Sequence, residues 1–169
     1  ANTANNTSGS GFYLTTNTDN NFLTSNSANG NGNGFYIEGS SGNNITANIA
    51  NSNTTSGFYF WANADNNILS ANYIEDNRYG IEVDSSSDNT LEGNYLYNNG
   101  NGGSTNYSIF IDGESDDISI IDNIVVATGT APLIFVEQLS SDRTTIAGNI
   151  FTNAELDDTS YVSDSGTNT

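Results

Sequence analysis

Apolar residues recur along the chain in short clusters that follow one another at a nearly constant interval. The first cluster of each repeat reads GFYL, GFYI, GFYF, GIEV, SIFI or LIFV, and these begin at Gly11, Gly34, Gly57, Gly80, Ser108 and Leu133. The four clusters that begin with glycine are spaced 23 residues apart. Every second residue of a cluster is apolar, which is the period of a β-strand with one buried face. Phe12, Leu14 and their counterparts are therefore expected to point inward.

A second motif in each repeat is an apolar residue followed three positions later by asparagine. Its asparagines are Asn26, Asn48, Asn72, Asn94, Asn123 and Asn149, and Asn2 stands where a preceding repeat would place one. A polar turn precedes the motif and another short apolar stretch follows it, so each repeat holds three short strands separated by turns. We expect the asparagines to stack inside a bend as a structural ladder of amides.

The repeat predicts an all-β chain that forms one domain over residues 1–169, a single-stranded parallel β-helix of about six to seven rungs. One rung cannot bury its own apolar face, whereas rungs stacked about 4.8 Å apart build a continuous core. Residues 1–10 are predicted to form a partial first rung, residues 11–153 the main rungs, and residues 154–169 a polar tail.

The two motifs together, G-I-x-L followed by N-x-I-x-x-N, resemble the repeats of right-handed, pectate-lyase-like parallel β-helices. The resemblance is closest to NosD-like repeats, and it covers residues 11–153. It implies a right-handed coil and an extracellular or cell-surface location. Members of these families include polysaccharide lyases, hydrolases, epimerases, binding modules and scaffolds, so the fold does not select a function.

The composition excludes several kinds of chemistry. The sequence has no Cys, His or Met, so zinc, iron-sulfur and haem sites lack ligands, and a Ser-His-Asp triad lacks its base. Arg78 and Arg143 are the only cationic side chains against twenty acids, which gives a formal net charge of −18. Nucleic acid and anionic membranes are poor partners for such a surface, and no apolar run is long enough for membrane insertion.

Outward residues of the first strand are predicted to stack into two columns. One is an aromatic stripe with Trp61 beside it, namely Tyr13, Tyr36, Tyr59, Trp61, Phe110 and Phe135. The other is an acidic column. The acidic residues of this face are Glu38, Glu82, Asp84, Asp112 and Glu137, of which Glu82 falls in the tyrosine column. An exposed aromatic stripe is typical of an interaction site, but stacking between rungs also stabilises a sheet, and both interpretations stay open.

A third column, in the turn before the asparagine motif, is predicted to be acidic. It contains Asp19, Asp65, Asp88, Asp116 and Asp142. Aspartate commonly bonds its own backbone in turns, which explains the column without a ligand. No cofactor is expected, apart from a weak calcium candidate at Asp116 and Asp117, where adjacent carboxylates double the charge.

Catalysis is not the favoured interpretation of the acidic residues. Glu82 with Asp84, or Asp84 with Asp112, meets the carboxylate spacing of about 5–10 Å that glycoside hydrolysis needs, but so would any β-helix with acidic columns. An active member of the resembling families would be a polysaccharide lyase, hydrolase or epimerase. The G-H-G and R-I-K motifs of polygalacturonase-like proteins are missing here.

The sequence favours a non-catalytic extracellular structural protein. Such a surface or filament subunit would associate with itself through the open ends of the solenoid or through the aromatic stripe. The alternative is a carbohydrate-binding or polysaccharide-processing β-helix module, with the aromatic stripe as the sugar platform. Sequons at Asn44, Asn53 and Asn106 are candidate glycosylation sites for an extracellular chain.

Overall fold

The computed structural model describes residues 1–100, 106–127, 133–136, 143–153 and 162–164, and their regular elements are all β-strands. The first sheet consists of β1 (Thr3–Asn5), β4 (Ser27–Asn29), β7 (Ile49–Asn51), β10 (Tyr73–Glu75), β13 (Tyr95–Tyr97), β16 (Ile124–Ala127) and β19 (Ile150–Asn153). The second sheet consists of β2 (Phe12–Leu14), β5 (Phe35–Glu38), β8 (Ser56–Trp61), β11 (Tyr79–Asp84), β14 (Ile109–Asp112), β17 (Ile134–Val136) and β20 (Val162–Asp164). The third sheet consists of β3 (Phe22–Thr24), β6 (Asn44–Thr46), β9 (Ile68–Ser70), β12 (Thr90–Glu92), β15 (Ser119–Ile121) and β18 (Thr145–Ala147).

Each turn of the chain contributes one strand to each of the three sheets, and every strand pairs in parallel with the strand one turn later. Parallel connections within a sheet are right-handed because of the twist of the strands, so the coil is a right-handed β-helix. The predicted fold class is thereby confirmed. The segment predicted as a polar tail contributes β20, which pairs with β17.

The core lies inside the coil and is built from columns of side chains that meet in register. The predicted inward positions of the second sheet are buried from Leu14 onward, and Phe12 packs against them at the first rung. Phe12, Phe35 and Phe58 stack with ring centroids 4.8 and 4.6 Å apart. Side chains of the same type on successive rungs therefore pack closely against one another, as expected when each repeat buries its apolar face against the next repeat.

Side-chain volume is balanced between sheets within each rung. The rungs that place phenylalanine at the inward position of the second sheet place alanine in the first sheet, as with Ala50 and Phe58. The next rung has side chains of equal size at these positions, with Ile74 in the first sheet and Ile81 in the second. A core of near-constant width needs such compensation because interiors are filled to crystal-like density.

The glycine that opens the GFY clusters is required by a close approach of backbone. A Cβ built on Gly34 would lie 2.5 Å from the carbonyl oxygen of Gly57 and 2.9 Å from Nδ2 of Asn53. Both groups are held in place by the neighbouring rung, so a methyl group at Gly34 would clash with them. Glycine therefore recurs at this position because the rungs lie too close together for a larger side chain, and not because of a role in binding or catalysis.

Among the residues that the structure describes, no helix is long and apolar enough to cross a membrane.

Candidate functional site

The predicted asparagine ladder runs through the bend between the third sheet and the first. Each backbone N–H donates to Oδ1 of the asparagine one rung on, at 2.8–3.0 Å, and each Nδ2 donates to the same oxygen at 2.9–3.2 Å. The column contains Asn2, Asn26, Asn48, Asn72, Asn94, Asn123 and Asn149. These side chains stabilise the bend, and their amide groups are engaged in hydrogen bonds along the column.

Two further asparagine ladders were missed by sequence reasoning. One lies between the second and third sheets and contains Asn21, Asn43, Asn67 and Asn89. The other lies between the first and second sheets and contains Asn31, Asn53, Asn77 and Asn99. Their recurrence at the rung interval was visible in the sequence, but it was hidden by many other asparagines. All three corners of the coil are therefore fixed by buried amides.

Burial of the side chain contradicts two of the glycosylation predictions. Asn53 is 2% exposed, and its Nδ2 donates to the carbonyl of Ala28 and to Oδ1 of Asn77. Asn106 is also buried, and its Oδ1 accepts from Nε of Arg78. Neither side chain is accessible for a glycan in the folded chain because both are buried, and a glycan on Nδ2 of Asn53 would also displace the bonds that this atom donates. Asn44 is half-buried on the third sheet, and its glycosylation stays a prediction.

The outward face of the second sheet carries the predicted aromatic stripe. Tyr13, Tyr36 and Tyr59 are directly opposite one another on successive rungs, followed by Glu82 and Phe110. The tyrosine rings stack nearly parallel, with centroids 5.0 and 5.1 Å apart. Their faces therefore cover each other, and the stack turns ring edges and hydroxyl groups toward solvent. The aromatic stripe is not a flat platform of ring faces for a sugar.

Trp61 lies in the neighbouring column, between Glu38 of the rung before and Asp84 of the rung after. It is 37% exposed, and its ring centroid is 6.3 Å from that of Tyr36. Tyr13 donates its hydroxyl hydrogen to Glu38, and the hydroxyl of Tyr59 donates to Asp84 at 3.3 Å. The aromatic stripe and the acidic column thus form one hydrogen-bonded surface.

The acidic column continues through Asp112, which is directly opposite Asp84 one rung later. Its Oδ1 accepts from the backbone N–H of Gly113 at 2.7 Å. Glu82 lies in the tyrosine column between Tyr59 and Phe110, as its position in the repeat predicted, and it takes the place of an aromatic ring there. Glu137 lies outside the described residues.

The phenol groups of the stripe are kept protonated. Burial, with the charges of Glu38 and Asp84 adding to it, raises the pKa of Tyr36 to about 12. Burial and nearby carboxylates also raise the pKa of Tyr59 well above its usual range. The hydrogen bond to Glu38 raises the pKa of Tyr13. These hydroxyls are therefore neutral at physiological pH, where they act as hydrogen-bonding groups and not as bases.

The carboxyl group of Glu82 is partly buried between Tyr59 and Phe110 on this face. Its partial burial among the aromatic side chains raises its pKa, the charges of Asp84 and Asp112 raise it further, and a hydrogen bond from the Ser56 hydroxyl opposes the shift. The unfolded carboxyl therefore loses its proton at lower pH than the folded one. As pH rises from about 4.5 through the folded pKa, ionisation of Glu82 removes stability.

Replacing Glu82 with glutamine is expected to raise the thermal stability of the chain at pH 7 and to leave it unchanged below pH 4.5. The amide keeps the shape and an acceptor for Ser56 but carries no charge to desolvate. Each kcal/mol recovered should raise Tm by about 2–4 °C in a chain of this size. Thermal unfolding followed by circular dichroism from pH 4 to 8 measures the effect. The exposed Glu92→Gln on the third sheet is the control, and an equal shift in both variants would contradict the assignment to burial.

A second aromatic group, beyond Glu82, was only partly anticipated. Phe110 and Phe135 of the predicted stripe are joined by Tyr79 and Tyr107, with Tyr107 stacked on Phe135 at 4.7 Å and Tyr79 against Phe110 at 5.5 Å. The Arg78 guanidinium carbon lies 5.1 Å from the Tyr79 ring centroid. Sequence alignment of rungs placed neither tyrosine here, because both lie at the edge of the repeating cluster.

The predicted acidic turn column is wrong in one place. Asp19, Asp65 and Asp116 share a column, but serines alternate with them, and Asp65 Oδ1 accepts from the backbone N–H of Ser87 at 2.7 Å. Asp88 belongs to the next column, since its N–H donates to the carbonyl of Asp116. Successive rungs span 22, 24, 22 and 29 residues at this corner, so a constant interval misaligns them. Asp142 lies outside the described residues.

The calcium candidate is occupied by a side chain of the protein. Arg143 donates through Nε and Nη2 to the two oxygens of Asp117, at 2.7 and 2.6 Å, and lies 3.7 Å from Asp116. The hydrogen bond from Arg143 lowers the pKa of Asp117. The guanidinium supplies the positive charge that the sequence analysis assigned to calcium. In the described part of the chain, no group of three or more acidic residues is placed to hold a metal ion.

The fold and this face define the chain as a right-handed parallel β-helix protein with a solvent-facing aromatic and acidic surface. Residues 1–107 match the family described as periplasmic copper-binding protein (NosD), and the chain belongs to that family. The resemblance stated from the repeats is thereby confirmed. A search of the curated proteins finds no match.

Two solved structures share the fold. They are a single and a double mutant of the periplasmic alginate epimerase AlgG, with TM-scores of 0.54 and 0.55 and 22% sequence identity. In both cases 92% of this chain is covered, and it spans 36% of the length of the epimerase chain. This likeness shows the β-helix. The family and both solved proteins are described as periplasmic, which is consistent with the predicted extracellular or cell-surface location.

Copper, which the family description names, does not fit the donor set of this chain. Imidazole, thiolate and thioether groups are the ligands that copper prefers, and the sequence contains no His, Cys or Met. The remaining donors are carboxylates and amides, and the buried amides already bond along the three ladders. The residues of this chain therefore do not form a copper site.

Proposed function

We propose that the chain is a non-catalytic β-helix module that binds a polysaccharide along the outward face of the second sheet. The observation that carries this proposal is the continuous surface formed by the aromatic stripe, Trp61 and the acidic column. It presents hydroxyl edges and carboxylates at intervals of about one rung, and Trp61 adds an exposed indole. Linear sugar chains are bound by such combinations of an aromatic contact and several hydrogen bonds.

The protonation states of the tyrosine hydroxyls on this face support binding without catalysis. The phenols of Tyr36 and Tyr59 stay protonated because their pKa values are raised, so neither supplies a base. Glu38 and Asp84 accept hydrogen bonds from tyrosine hydroxyls and are held as acceptors. These groups suit the recognition of a polyol.

Replacing Trp61 with alanine is expected to weaken polysaccharide binding by about 10-fold or more, because an exposed indole contributes on the order of 1–2 kcal/mol to such contacts. Retardation in native gels that contain a panel of soluble neutral and acidic polysaccharides measures binding. Phe22→Ala is the matched control, because Phe22 is 80% exposed and lies on the third sheet. Equal retardation of both variants and the unchanged chain would show that this face is not the binding site.

Self-association is retained as a second proposal, on a different surface. The outward column of the first sheet exposes apolar side chains on neighbouring rungs, among them Ile49, Tyr73, Ile124 and Ile150. Lateral contact through this column would bury them and produce the surface or filament subunit favoured by the sequence. A net charge of −18 opposes that contact, so association should increase with salt. Sedimentation of a monomer at both low and high salt would contradict it.

A further inference from the structure

The polar groups that the second-sheet face offers to a ligand are mainly hydrogen-bond acceptors. Glu38, Glu82, Asp84 and Asp112 are carboxyl groups on three of four consecutive rungs, and the remaining rung carries Trp61 in the same column. An ionised carboxylate accepts hydrogen bonds and donates none. The donors within the same surface are the indole N–H of Trp61 and the phenol hydroxyls, two of which already donate to Glu38 and Asp84. A ligand for this face must therefore bring donors.

The negative charge of these carboxylates also selects against ligands that carry negative charge. Rungs lie about 4.8 Å apart, so an anionic group beside any of these carboxylates meets a like charge at a cost of about 1 kcal/mol even in water. Of the two cationic side chains, only Arg78 acts on this face, where its charge offsets part of the negative charge at Glu82. Arg143 is bound to Asp116 and Asp117, and Arg78 lies over Tyr79 with its Nε bonded to Asn106. The net charge of −18 extends the repulsion over the whole molecule.

We infer that this face takes an uncharged polysaccharide, whose hydroxyl groups donate to the carboxylates, and rejects polyuronates. The inference rests on the proposed function and names its substrate class. A neutral sugar presents several O–H donors per residue and no charge, which complements the acceptors. A uronate presents a carboxylate at every residue, which pairs acceptor with acceptor and charge with like charge. The regular spacing of the tyrosine hydroxyls places the sugar chain along the axis of the coil.

The test compares polysaccharides that share a backbone and differ in charge. One pair is hydroxyethylcellulose and carboxymethylcellulose, and the other is methyl-esterified and de-esterified polygalacturonate. Trp61 is the single tryptophan of the chain, so its fluorescence reports directly on the face. We expect the uncharged member of at least one pair to bind at least about 10-fold more tightly than its charged partner, and high salt to narrow the gap by screening.

A matched pair of variants assigns the selectivity to the face. Glu38→Gln should weaken binding of the uncharged polymer by about 10-fold, because hydrogen bonds to charged acceptors are the stronger ones, and should relieve rejection of the charged polymer. Glu92→Gln removes the same charge from the third sheet, and it should change neither the binding of the uncharged polymer nor the rejection of the charged one.

Three outcomes would overturn the inference. Tighter binding of the charged polymers, with or without added calcium, would leave the proposed function standing and overturn the substrate class alone. Equal effects of Glu38→Gln and Glu92→Gln would assign selectivity to net charge and not to this face. No change in Trp61 fluorescence with any of the four polymers, together with no retardation in the gels, would overturn the proposed function as well.

Discussion

Replacing Asn72 with alanine is expected to destabilise the folded chain by about 3–5 kcal/mol, a large part of the total for a domain of this size. Oδ1 of Asn72 accepts from the backbone N–H and from Nδ2 of Asn48, at 2.8 and 3.1 Å. Its Nδ2 donates to the carbonyl of Ile45 at 3.0 Å and to Oδ1 of Asn94 at 2.9 Å. Alanine removes all four bonds and leaves the buried N–H of Asn48 without its acceptor.

The measurement is equilibrium unfolding in urea, followed both by circular dichroism and by Trp61 fluorescence. Two probes are needed because stacked repeats can unfold in parts. Asn2→Ala is the control within the same ladder. The side chain of Asn2 makes one bond in the structure, from its Nδ2 to Oδ1 of Asn26 at 3.2 Å, so its loss should cost no more than about 1 kcal/mol. Similar losses for the two variants would mean that the ladder does not stabilise the bend.

Replacing Phe58 with alanine is expected to cost about 3–5 kcal/mol through the cavity that it leaves. The side chain is fully buried and stacks on Phe35 with centroids 4.6 Å apart and planes 8° from parallel. The rungs on either side are held in place by their own sheets and corners, so they cannot collapse into the space. In urea unfolding, Phe58→Ala should show a large loss of unfolding free energy, and Phe58→Leu should show a smaller one.

The matched control for this position is Phe22→Ala. Phe22 is also a phenylalanine on a short strand, but it is 80% exposed on the outward side of the third sheet. Its removal should change the free energy of unfolding by less than about 0.5 kcal/mol. A cost for Phe22→Ala near that for Phe58→Ala would contradict the assignment of the inward and outward columns.

Both predictions bear on the proposed binding face, because the outward side of the second sheet keeps its geometry only if the core and the ladders behind it are intact. The second sheet is backed by the Phe58 column and flanked by two asparagine ladders, so the outward columns keep their spacing from rung to rung. A site on strands held in this way is ordered before a ligand arrives. We therefore expect core and ladder variants to alter binding only when they unfold the rung concerned.

Much of the architecture was predictable because it repeats. A strand that alternates apolar and polar residues has only two faces, and stacking identical rungs places equal positions above one another. The inward columns and the ladder of Asn72 therefore follow from counting residues. The same counting placed Asp88 in the wrong column, because turn lengths vary while strand register does not.

The sequence by itself determined the β-helix, its core, one asparagine ladder and the column of Tyr13, Tyr36 and Tyr59. Only the tertiary structure decided what those side chains do at the surface. It turned the tyrosine faces toward each other, bonded the partly buried Glu82 to Ser56, and bonded Arg143 to Asp117 from a different rung. A periodic sequence specifies which residues share a column, whereas ring orientation and charge pairing depend on contacts between columns, and those contacts have no period along the chain.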